Sequence, residues 1–216
     1  MLRSGKLANN FTHKGSKVLL TEGKNDCFVI LALCEYYKIP KAFGLHDCGQ
    51  DDLVLKELNA RITGANPIEV IGVVIDADKP DLAGRWQQIR DKFKSKLPIP
   101  NFPDPVGTIL PATDDYPKIG FWLMPDNNLD GMLEDFCAKL ADSKSIDFAE
   151  QCVNQAESKK HASFKDVHKA KAVIHTFLAW QDEPGRPLGQ AITARTLNPE
   201  NPIANDFVAW LRKLFV

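Results

Sequence analysis

The 216-residue chain weighs 24.1 kDa and carries 27 Lys and Arg against 28 Asp and Glu, for a net charge of −1. With 44% apolar and 25% charged residues it has the make-up of one ordinary globular domain with a full core. Near-zero charge excludes a binder held to nucleic acid by bulk charge, and no apolar run approaches the roughly 18 residues of a membrane span.

Lys17–Thr21 is a short apolar run that stops at Glu22-Gly23 and reads as a buried strand. Asn25 is placed to cap a helix running through about Tyr37, and Pro40 closes that unit. Ala42–Cys48 reads as a second strand, and Asp51–Arg61 as a helix through Leu53, Val54, Leu55 and Leu58. Val70–Ile75 is a continuous run rich in β-branched residues, the pattern of a parallel strand covered on both faces. Asp81–Leu97 reads as a helix with Trp86, Ile89, Arg90 and Phe93 along one side. Six prolines between Pro98 and Pro117 mark a loop, with a short edge strand at Gly107–Leu110. Ile119–Met124 is a further strand, and helices are expected at about 131–141, 146–157, 164–181 and 205–214. Alternating strands and helices over the first 125 residues predict an α/β sheet with helices on both faces.

The basic N-terminus, MLRSGKLANNFTHKGSK, lacks the apolar stretch of a signal peptide. Five widely spaced cysteines (27, 34, 48, 137 and 152) include no C-x-x-C pair, which argues against a zinc ribbon or disulfide scaffold. A reduced, cytoplasmic protein using cysteine as a small apolar residue is the expectation. Charge is unevenly spread. Residues 1–21 hold four basic and no acidic residues, residues 22–150 hold 14 basic and 22 acidic, and residues 151–216 hold nine basic and six acidic. An acidic middle between basic ends is the distribution of a metal site flanked by phosphate contacts.

Ligands of an open parallel sheet gather at the carboxyl ends of its strands. Glu22, the pair Asp76 and Asp78, and Asp126 all stand at such ends. On an extended chain Asp76 and Asp78 point to the same side, where they repel unless a cation or proton lies between them. Hard cations such as Mg²⁺ prefer oxygen ligands, so Glu22 and the pair can converge on one ion if their strands are neighbours. The plainer reading is a solvated turn at a strand end. Asp26, in a first helical turn, favours the helix dipole without any catalytic role.

An apolar strand ending T-E-G-K-N-D, followed about fifty residues later by a strand ending D-A-D, resembles the TOPRIM domain of topoisomerases, primases and related nucleases. Phe121–Asn127, Gly131–Glu134, the Lys171 region and Leu178-Ala179-Trp180 are similar to a bacterial group of small TOPRIM-like proteins. Those are relatives of the overcoming-lysogenization-defect (OLD) nucleases. The resemblance implies a Rossmannoid three-layer sandwich with a mainly parallel sheet. It covers a single unit over residues 1–216, with a core at about 15–142 and a helical extension at about 143–216. It further implies Mg²⁺, with Mn²⁺ as substitute, held by Glu22, Asp26, Asp76, Asp78 and Glu134. Glu22 is implied as a ligand or as the acid–base partner. The ATPase domain of full-length OLD proteins has no counterpart here, which implies a separate ATPase chain as partner or a stand-alone role.

Helical spacing puts Lys171 in an apolar stripe with Phe164, Val167, Ile174 and Leu178, where it must snorkel out or meet an anion. It is either a catalytic contact to phosphate or half of a structural ion pair. His168 and His175 read as boundary residues, and His46-Asp47-Cys48 as a strand end rather than a transition-metal cluster. Lys14, Lys17, Lys159, Lys160, Lys165, Lys169, Arg186 and Arg195 are the cations available to nucleic acid, while Phe164, Trp180 and Trp210 read as core. The expected function is a Mg²⁺-dependent nuclease acting on DNA or RNA. The alternatives are a silent adaptor that binds nucleic acid or a protein, and a phosphohydrolase of small substrates.

Overall fold

Five strands order as β2-β1-β3-β5-β4 in a computed structural model that describes residues 15–40, 42–64, 68–78 and 80–216. They are β1 (Lys17–Thr21), β2 (Gly44–Asp47), β3 (Val70–Asp76), β4 (Thr108–Leu110) and β5 (Lys118–Met124). All pairs are parallel except β4 on β5. The helices are α1 (Lys24–Tyr36), α2 (Asp51–Thr63), α3 (Leu82–Phe93), α4 (Leu133–Lys139), α5 (Ser143–Ser158), α6 (Lys169–Ala179), α7 (Leu188–Thr193) and α8 (Pro202–Phe215). The chain is a three-layer α/β sandwich with a mainly parallel sheet, as the strand–helix alternation predicts.

Side chains of adjacent strand residues leave opposite faces, and the two cores follow that alternation. Ile71, Val73 and Ile75 of β3, with Ile119, Phe121 and Leu123 of β5, pack under α2 and α3. Val74, Trp122 and Met124 face the other way, into a core built from α1, α4, α6, α7 and α8. In register on that face, Gly72 pairs with Gly120. A side chain on Gly120 would collide with Leu214, so the two glycines let α8 lie close on the sheet. Among the described residues, no helix is long and apolar enough to cross a membrane.

Several expected boundaries shift. Gly23, not Asn25, is the N-cap of α1, and Asp26 three residues on accepts the Gly23 N–H. The helix expected over 164–181 begins only at Lys169, after a single 3-10 turn at Asp166–His168. Phe164 and Val167 therefore leave the predicted stripe, and Val167 is exposed. Trp210 is core, but Trp180 is not: it lies just past the end of α6, exposed beside Phe148. Helix α7 has no counterpart in the sequence reading, because six residues are too few to show a period.

Candidate metal and phosphate site

The site is assembled from the carboxyl ends of β1 and β3, which are neighbours in the sheet. Glu22 follows β1, and its Oε1 accepts the backbone N–H of Asp76 at 2.8 Å. Asp76 ends β3, and its Oδ1 accepts the N–H of Leu133 at 3.0 Å, tying β3 to the start of α4. Each acid thus spends one oxygen on a backbone N–H. Asp26, in the first turn of α1, is buried. Glu134, in the first turn of α4, is only 4% exposed, and its Oε1 lies 3.6 Å from the ammonium of Lys171 on α6. These four acids and Lys171 wall one cleft of about 400 Å³, together with Lys24, Asn25, Asp47 and Gln50.

Like charges taken out of water hold on to protons. Burial raises Asp26 to about 7, with the Glu22 carboxylate adding to the effect. Burial also lifts Asp76 well above the usual carboxylate range, helped by Glu22, Asp26, Glu134 and Asp78. Glu22 is raised by burial too, against the opposing pull of the Asp76 N–H and the Arg85 guanidinium. Among the described residues, acids outnumber cations in the cleft wall. Lys171, with half of its side chain exposed, reaches Glu134.

Asp78 stands differently. The chain bends after β3, where Ala77 N–H bonds to the carbonyls of Met124 and Gly131. The extended geometry that would align Asp76 with Asp78 ends there. Asp78 is not part of the cleft wall, although its charge acts on Glu22, Asp76 and Asp135. Asp126 is absorbed locally, its Oδ1 accepting from the N–H groups of Asn128 and Leu129. Glu134 is buried because α6 lies over α4.

Arg85 is the residue that sequence reasoning passes over. It lies between Gly84 and Trp86 near the start of α3 and, although charged, is only 2% exposed. Its Nε donates to the Asp76 carbonyl at 3.0 Å and one terminal nitrogen to Asp51 Oδ2 at 3.0 Å. A single buried guanidinium so joins the end of β3 to the start of α2. The logic of acids at strand ends, applied to β2 as well, points to Asp47 and Asp51.

Several proposed nucleic-acid cations are already engaged. Lys17 Nζ donates to the Phe215 carbonyl, at the end of β1 away from the cleft. Lys169 pairs with Glu157 at 2.8 Å, Arg186 with Glu183, and Arg195 stacks over the Tyr36 ring. Lys14 lies outside the described residues.

The donor set fits a hard divalent cation by chemistry: oxygen ligands and mutual repulsion. The ligand shell is not drawn together, since no group of three His, Cys, Asp or Glu among the described residues stands ready to hold an ion. A family model described as a protein of unknown function (DUF3226) matches residues 16–216. This chain belongs to the DUF3226 family. No curated protein and no solved structure matches it. The match to DUF3226 spans β1 through α8, so both walls of the cleft fall within the family's common region.

Proposed function

We propose that this DUF3226 chain is a Mg²⁺-dependent nuclease of the TOPRIM type, with Mn²⁺ as substitute, that cleaves phosphodiester bonds in DNA or RNA. The observation that carries the reading is the meeting of Glu22, Asp26, Asp76 and Glu134 in one cleft beside Lys171. Carboxylates crowded together repel unless a cation or a proton lies between them, and strained electrostatics gather at functional sites. Glu22 and Asp76, each with one oxygen fixed by a backbone N–H, would hold the ion, and Asp26 and Glu134 would complete the donor set. Asp78, beside the cleft, would join through the turn at Ala77. A bound cation supplies phosphate polarisation and charge neutralisation. Glu22, raised from its ordinary value by burial, would serve as the acid–base partner. Lys171 is placed to meet a phosphate oxygen once it leaves Glu134.

The test is incubation of the pure protein with supercoiled plasmid, single-stranded DNA and RNA, with Mg²⁺ or Mn²⁺ or EDTA. Asp76→Asn, Asp78→Asn and Glu22→Gln are run alongside. Metal-dependent cutting of any of these substrates, lost in Asp76→Asn and Glu22→Gln, supports the reading. Intact substrates throughout, with no cation-induced thermal shift, would falsify it. The unassembled ligand shell and the displaced Asp78 favour a second reading, a silent adaptor. Its signature is binding of nucleic acid or a partner such as a separate ATPase chain, without cutting and unchanged by the substitutions.

A further inference from the structure

A groove of about 730 Å³ lies outside the acid cleft, between α5 and α6. Its walls are mostly small: Cys152 and Ala156 from α5, and Ala172, His175, Thr176 and Ala179 from α6. At 100° per residue, Phe148, Cys152 and Ala156 form one stripe of α5. Phe148 is 57% exposed, and its ring meets that of Trp180, 48% exposed, at 5.6 Å and 42°. Two large aromatic rings are thus held about half in water beside one end of the groove.

The other end of the groove is closed by residues 161–164, inside the segment Lys159-Lys160-His161-Ala162-Ser163-Phe164-Lys165. That segment carries three exposed lysines and no acid. Among the described residues, these three of the expected nucleic-acid cations have no acidic partner, whereas Lys169, Arg186 and Arg195 do. The acids of α5 do not spoil the match. Asp147, Glu150 and Glu157 fall about 140–160° from the centre of the groove stripe, and Glu157 is paired with Lys169.

The groove also adjoins the acid cleft. Lys171 lines the cleft and Ala172, the next residue, lines the groove. From Lys171 to Trp180 is nine residues, about 13 Å along α6. Exposed rings, a cationic rim and an adjoining phosphate site are the elements of a single-strand binding track, where bases stack on aromatic faces and the backbone follows positive charge. We propose that the α5–α6 groove holds a single-stranded nucleic-acid segment, its bases stacked on Phe148 and Trp180, and delivers it to the acid cleft. This rests on the reading of the cleft as a phosphodiester site and narrows its substrate to single strands.

The experiment is fluorescence anisotropy of a labelled oligothymidylate about twelve nucleotides long, in EDTA so that cation binding plays no part. The full chain is expected to bind it more tightly than a duplex of equal length. Phe148→Ala with Trp180→Ala weakens binding roughly ten- to hundredfold, the scale of lost base stacking. Lys159→Gln with Lys160→Gln flattens the salt dependence. Both pairs are exposed, and circular dichroism confirms that the variants fold. Three outcomes overturn the inference: no binding by the wild type, unchanged affinity in the aromatic variant, or a wild-type dimer in sedimentation that the aromatic variant dissolves. A Mg²⁺-induced thermal shift, removed by Asp76→Asn, reads the acid cleft separately, so either reading can fail alone.

Discussion

Asp76 takes a backbone N–H on one oxygen while facing three other carboxylates across the cleft. An asparagine there keeps the acceptor for Leu133 and removes the repelled charge. Asp76→Asn is therefore expected to stabilise the cation-free protein by about 1 kcal/mol, a rise of roughly 2–4 °C in Tm for a chain this size. The same substitution abolishes the thermal gain from Mg²⁺. A fall in Tm in EDTA would show that the charge is compensated after all. Asp26 adds a pH dependence. Its folded value, about 7, lies above the ordinary 3.8, so the native state keeps a proton that the unfolded chain releases. Between those values the Asp26 contribution makes stability fall as pH rises. A divalent cation competes with that proton, so the Tm gain in millimolar Mg²⁺ should be larger at pH 8 than at pH 5. Equal gains at the two pH values would detach Asp26 from the cation.

Helix α7 shows how much one short element can carry. It lies against α1 through Gly189, where a Cβ would sit 2.6 Å from the carbonyl oxygen of Phe28 and 2.7 Å from its carbon. Backbone cannot yield as a side-chain tip does, so Gly189→Ala must push the two helices apart. The expected cost is about 1–3 kcal/mol, or some 2–12 °C in thermal unfolding at roughly 2–4 °C per kcal/mol. A wild-type Tm would mean that α7 shifts freely. Because α1 carries Asp26 into the cleft, the same variant is expected to weaken the Mg²⁺-induced shift.

At the scale of the whole molecule, α8 closes the fold. Phe207, Trp210, Leu211, Leu214 and Phe215 are buried with Leu19 of β1 and Trp122 of β5, joining the C-terminus to the first strand. Five such side chains contribute roughly 8–15 kcal/mol of burial, as much as the entire stability of a typical domain. Deleting residues 202–216 should abolish cooperative unfolding and the near-ultraviolet aromatic signal. A truncated chain that still melts sharply would refute that dependence. The strands were legible because a parallel strand buried on both faces must be a short apolar run, as Val70–Ile75 and Ile119–Met124 are. The acids at strand ends were legible because a sheet presents those ends together. Local pattern alone specifies this much: an α/β sandwich with carboxylates at one edge of its sheet. Tertiary packing settled the rest. It buried Glu134 under α6, left Trp180 in water past a helix end, and turned Asp78 aside at Ala77. It also drew Arg85 inward to bridge β3 and α2. Burial and charge pairing depend on which distant segments meet, and no periodicity within one segment records that.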